Sequence, residues 1–126
     1  RINGVLISND QGEAVAYSLS NLESRGILFI NPGDKVYEGM IIGMNSRGED
    51  ITVNPCKTKK QSNIRSSAAD DAIKLSPPKI MTLEAALEFI NDDELVEITP
   101  DAIRLRKKYL TEIERRKYAN KIKTSN

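Results

Sequence analysis

Thr82-Leu83-Glu84-Ala85-Ala86-Leu87-Glu88-Phe89-Ile90 and, after Asp92-Asp93-Glu94, Leu95-Val96-Glu97-Ile98-Thr99 and Ile103-Arg104-Leu105-Arg106-Lys107 change their apolar period part-way. In the first segment Leu83, Leu87 and Ile90, with Ala86 and Phe89, form an apolar stripe at helical spacing, and Thr82 can accept from the free N–H groups of the first turn. The two segments that follow alternate apolar and polar residues, the period of strands. A helix feeding directly into strands places the chain in the α+β class.

Working outward, β-branched residues in short runs suggest strands at Val5–Ser8, Ala14–Ser20, Ile27–Ile30 and Met40–Met44. Asn9-Asp10-Gln11-Gly12 and Asn31-Pro32-Gly33-Asp34 separate them with turn-forming residues. Such short spacing implies antiparallel pairing. From about residue 45 to 71 the periodicity fades around a short Ile51-Thr52-Val53 strand, and a further strand is expected at Ala72–Leu75. Loops of that length are uncommon in compact domains and are usually functional or disordered. Thr111-Glu112-Ile113-Glu114 matches the capping box, so a basic terminal helix should start there, with 121–126 frayed. The expected fold is one domain, 1–126: a mainly antiparallel β-core, one amphipathic helix, a long basic loop and a basic C-terminal helix.

At 126 residues the chain suits a single core. It begins at Arg1 and is already strand-like by Ile2–Ile7, as expected of a piece of a longer polypeptide. No apolar run is long enough to cross a bilayer. One cysteine, Cys56, and no histidine exclude an internal disulfide and a usual zinc site. A cytoplasmic location fits these features.

The net charge of +1 conceals segregation. Residues 1–50 carry four basic and seven acidic groups, 51–69 four basic and none acidic, 70–101 two basic and nine acidic, and 102–126 nine basic and two acidic. The second block contains Cys56-Lys57-Thr58-Lys59-Lys60-Gln61-Ser62-Asn63-Ile64-Arg65-Ser66-Ser67, which offers cations, amides and hydroxyls with no competing carboxylate. That combination suits a phosphate backbone: lysine as point charge, arginine as planar fork, Asn and Ser as hydrogen-bonding partners. A merely solvated loop fits the charge equally well, and the length of the segment favours function. Arg104, Arg106, Lys107 and Lys108 form a possible second basic patch, Arg104 and Arg106 sharing the strand face opposite Ile103 and Leu105. The competing reading pairs these cations with the acidic 92–97 segment.

No catalytic residue is assigned. Cys56 lacks a histidine base, and its basic neighbours would lower its thiol pKa. Asp92, Asp93 and Glu94 read as a solvated turn, with no metal assigned. Neither a G-x-x-x-x-G-K-[ST] nor a G-x-G-x-x-G motif occurs, so nucleotide hydrolysis does not reside in this chain. Pro32–Gly43 resembles the turn-and-strand signature of biotinyl and lipoyl domains, without the lysine that carries their cofactor.

Taken together, the lysine loop, Leu75–Glu97, Ile103–Lys107, Asn3–Ser8 and Val36–Gly43 resemble the C-terminal domain of the BipA/TypA translational GTPases over nearly the whole chain. The resemblance implies a ribosome-binding module that is not itself an enzyme, with GTP and Mg²⁺ held by a GTPase domain elsewhere in the protein. It further implies links to stress adaptation and large-subunit assembly. The implied partners are large-subunit rRNA and the acceptor end of A-site tRNA, contacted by Lys57, Lys59, Lys60, Asn63, Arg65 and Ser66 from a monomer. The alternative is a protein-interaction domain using the acidic 92–97 surface or the terminal helix.

Overall fold

The computed structural model describes residues 1–57 and 75–125, with side chains through Lys121. Its frame is one sheet whose central strands are apolar on both faces. Strands β1 (Val5–Ser8) and β5 (Met40–Asn45) pair antiparallel, with a bulge between Leu6 and Ile7. Leu6, Met40 and Ile42 point into one apolar cluster, whereas Val5, Ile7 and Ile41 point into another on the opposite face. Strands covered on both sides read as unbroken apolar runs, which explains Val5-Leu6-Ile7 and Met40-Ile41-Ile42.

Each cluster has its own helix. Leu19 and Leu22 of α1 (Ala16–Leu22) close the first, together with Leu28, Ile30, Val36 and Val53. Ala86 of α2 (Leu83–Phe89), with half-buried Phe89 and Ile90, closes the second against Leu105 and Val96. Phe29 and Phe89 meet edge to face, their ring centroids 5.6 Å apart. Only part of the α2 stripe is covered, since Leu83 and Leu87 remain exposed.

The remaining strands follow from β5. One edge of it is taken by β1; the other is shared end to end by β8 (Ile103–Lys107), paired at Met40 and Ile41, and β3 (Gly26–Leu28), paired at Gly43–Asn45. Strand β7 (Glu94–Ile98) pairs with β8 in full register, and β6 (Ile51–Val53) runs parallel to β1 on its outer side. The turn from β5 to β6 passes beneath the start of β1 at Gly4, where a Cβ would lie 1.9 Å from the Glu49 carbonyl oxygen. β2 (Gly12–Glu13) and β4 (Lys35–Val36) form a separate two-stranded ladder. The fold is therefore α+β with a mainly antiparallel sheet.

The strand expected at Ala14–Ser20 is instead the helix α1. Small residues at Ala14, Ala16, Ser18 and Ser20 imitate a period of two, but the buried residues, Ser18, Leu19 and Leu22, keep helical spacing. The helix has no side-chain cap at Val15, so its start carries no polar signal in the sequence. Of the segment expected as a loop over 45–71, residues 46–50 are exposed, Ile51–Val53 is β6, and Pro55 is buried. The remainder of it, and most of the strand expected at Ala72–Leu75, lie outside the described residues. The capping box is present: Glu114 N–H donates to Thr111 Oγ1 at 3.1 Å, and Thr111 N–H to Glu114 Oε1 at 3.3 Å. It opens α3 (Glu112–Ser125).

Candidate nucleic-acid interface

The residues that flank the cationic segment are fastened on both sides, to α1 on leaving β6 and to the turn after α1 and to β3 on return. On leaving β6, Asn54 accepts through its carbonyl from Ser18 Oγ at 2.6 Å, and the Pro55 carbonyl accepts from Val15 N–H at 2.9 Å. Cys56 N–H donates to Asn54 Oδ1 at 2.9 Å, and its side chain packs on the first cluster. On return, Leu75 packs on the same cluster, Ser76 N–H donates to Glu23 Oε2 at 2.8 Å, and Lys79 N–H donates to the Leu28 carbonyl at 2.9 Å. Lys57 is exposed; Lys59, Lys60, Asn63, Arg65 and Ser66 lie outside the described residues. Burial, and then the Asp10 carboxylate, push the Cys56 thiol up, the reverse of the lowering expected from its basic neighbours.

The second basic group divides by strand parity. Arg104 and Arg106 lie half-exposed on the face opposite Leu105, and Arg104 stands across from Glu97 of β7. Glu97 also accepts from the Tyr37 hydroxyl at 2.8 Å; burial and then this carboxylate raise the Tyr37 pKa. Lys108 is exposed, its ammonium 5.9 Å from the Tyr109 ring. Lys107 does not join this surface, because it shares the inward parity of Ile103 and Leu105 and is only 2% exposed. Its ammonium lies 2.6 Å from Asp50, 2.9 Å from Asp93 and 2.8 Å from Glu94. This is the pairing that the acidic 92–97 segment offered as the alternative.

Arg1 closes the network. Its guanidinium forms an ion pair with Glu94, donates a 2.7 Å hydrogen bond from Nη2 to Glu94 Oε2, and lies 4.6 Å from the centre of the Phe89 ring. Burial raises the Glu94 pKa, but hydrogen bonds from Arg1, Lys107 and the Asn91 N–H outweigh it and bring the carboxyl down to about 2. Burial likewise opposes the charge of Lys107, yet its three carboxylates hold the ammonium above its usual range. Asp50, Asp93 and Glu94 approach one another as metal ligands would. The cation among them is the Lys107 ammonium.

The chain matches the family model described as the TypA/BipA C-terminal domain over residues 3–112. This chain belongs to the TypA/BipA C-terminal domain family. Relatives called large ribosomal subunit assembly factor BipA are 59% identical over 117 residues in Escherichia coli K12, covering 93% of this chain and 19% of that protein. One from Buchnera aphidicola subsp. Baizongia pistaciae is 57% identical over 121 residues, covering 96% of the chain and 20% of that protein. The chain thus spans about a fifth of the length of these relatives. In this BipA-type domain, sequence reasoning missed Asp50 as a partner of Lys107 and Arg1 as a second cation on Glu94, since both are distant from their partners along the chain. The burial of Lys107 itself was signalled by its parity with Leu105. Among the described residues no helix is long and apolar enough to cross a membrane.

Proposed function

We propose that this domain is the ribosome-docking C-terminal module of a translational GTPase that acts in large-subunit assembly, and that it binds RNA through the segment from Lys57 to Ser66. The observation that carries this reading is the 59% identity, over nearly the whole chain, to proteins called large ribosomal subunit assembly factor. The geometry supports it in one respect. Asn54 and Cys56 before the segment, and Leu75 and Ser76 after it, are held by α1, the turn that follows it and the first cluster, so a contact made by the segment would be transmitted to a packed frame.

In this reading Lys57, Lys59, Lys60 and Arg65 neutralise phosphates, while Asn63 and Ser66 hydrogen-bond to phosphate or sugar oxygens. The partners are large-subunit rRNA and the acceptor end of A-site tRNA, met in the cytoplasm by a monomer, with links to stress adaptation. GTP and Mg²⁺ belong to the GTPase portion of the full-length protein; this domain makes and breaks no bond. Salt dependence tests the mode of binding. Four cations that each release a counterion give a slope of log affinity against log salt on the order of −3. A protein interface through the 92–97 surface or α3 would give a markedly flatter line.

A further inference from the structure

At the opposite end of β6 from Lys57, the sheet carries a polar cleft of 410 Å³ lined by Ser24, Arg25, Asn45, Ser46, Arg47 and Glu49, among others. One wall is the 3-10 turn Glu23–Arg25; the other is the turn from β5 to β6. Ser46 N–H joins the two walls by donating to the Arg25 carbonyl at 2.8 Å, and Gly4 N–H ties the second turn to the start of β1 by donating to the Arg47 carbonyl at 2.8 Å. Buried Asn45 braces the second turn from within. Its Nδ2 donates to the Glu49 carbonyl at 2.7 Å, and its Oδ1 accepts from Arg47 N–H at 3.3 Å.

This rigid frame presents two arginines whose side chains are left available. Arg25 and Arg47 are both exposed, and neither forms an ion pair among the described residues, in contrast to Arg1, Lys107 and Arg116. Glu49 is the one acidic residue of the lining, so the cleft keeps a net positive charge. Ser24 also lines the adjoining cleft with Ser76 and Pro77, where the chain returns from the cationic segment. The cleft therefore adjoins Ser76 and Pro77, described residues of the returning chain.

We propose that the Arg25–Arg47 cleft binds a phosphate of the RNA backbone, as a second anchor in addition to the segment from Lys57 to Ser66; this rests on the RNA-binding reading above. Arginine forks match phosphate oxygens two at a time, and Ser46 lines the same cleft.

The test uses the full-length protein, with wild type, Arg25→Ala/Arg47→Ala, Arg25→Lys/Arg47→Lys and the four-site variant Lys57→Ala/Lys59→Ala/Lys60→Ala/Arg65→Ala. Each is titrated with purified large subunits and with protein-free large-subunit RNA across a salt series. The alanine pair should weaken both titrations by on the order of tenfold per arginine and flatten the salt slope by about 0.7, the value for one phosphate, at unchanged melting temperature. The lysine pair should keep the slope and recover only part of the affinity. Unchanged affinity and slope in the alanine pair, with loss in the four-site variant, would overturn this proposal and leave the function standing. Loss on subunits but not on protein-free RNA would also overturn it, assigning the cleft to a ribosomal protein. No loss in either variant would sink both readings.

Discussion

Lys107 holds its charge where solvent barely reaches, between the Asp50, Asp93 and Glu94 carboxylates, with Arg1 on the far side of Glu94. Removing one partner of such a buried group leaves the others uncompensated. Lys107→Met should therefore cost about 3–5 kcal/mol in a urea titration, whereas Arg104→Ala, at a half-exposed position, should cost about 0.5 kcal/mol or less. Equal, small effects would mean that Lys107 is an ordinary surface cation. Glu94 gives the network a pH signature. Its folded pKa of about 2 lies below the ordinary 4.5, so between those values the unfolded chain binds a proton that the folded chain refuses. Its contribution, on the order of 3 kcal/mol, is full above pH 4.5 and is lost as the pH falls toward 2. Glu94→Gln should remove most of that acid limb in denaturant midpoints measured from pH 6 to pH 3; an unaltered limb would place the titration elsewhere. Strand parity made the inward side of Lys107 readable from the sequence. Its pairing with the 92–97 acids was open as an alternative, but Asp50 and the second cation Arg1 were not legible, because only the sheet brings them to Glu94.

Among the elements, α2, β7, β8 and the cap of α3 were legible because each carries a local chemical signal: Thr82 and Thr111 at the caps, alternation in the strands. α1 was not, because its small residues alternate and Val15 caps nothing. Its place is fixed by tertiary burial of Leu19 and Leu22 against the sheet. Leu19→Ala should accordingly lower stability by about 2–5 kcal/mol, a loss that an exposed edge strand would not show. Thr111→Ala should cost about 1 kcal/mol and speed amide exchange in the first turn of α3 while leaving the sheet amides unchanged. Uniform acceleration would mean that α3 and the sheet unfold together. Gly39 marks a tertiary contact that the sequence hid: its φ is +93°, and an added Cβ would lie 2.6 Å from the Leu110 Cα, so the turn before β5 and Leu110, two residues before α3, fit only without a side chain at position 39.

At the scale of the whole molecule, the charge blocks acquire a spatial meaning. The acidic stretch after α2 is partly consumed in holding Lys107 and Arg1, whereas the cations from Lys57 onward have no acidic neighbour along the chain for a dozen residues. The α+β class and the antiparallel pairs followed from period and spacing. The strand order did not, since the parallel placement of β6 outside β1 and the sharing of one β5 edge by β3 and β8 depend on contacts remote in sequence. The central functional claim is that the segment from Lys57 to Arg65 docks this domain on the ribosome. It is tested most directly by co-sedimentation of full-length protein with purified ribosomes and a non-hydrolysable GTP analogue, comparing wild type with Lys57→Ala/Lys59→Ala/Lys60→Ala/Arg65→Ala at two salt concentrations. The expected result is loss of the variant from the ribosome pellet at an unchanged melting temperature. Undiminished pelleting of the variant at both salt concentrations would contradict the claim.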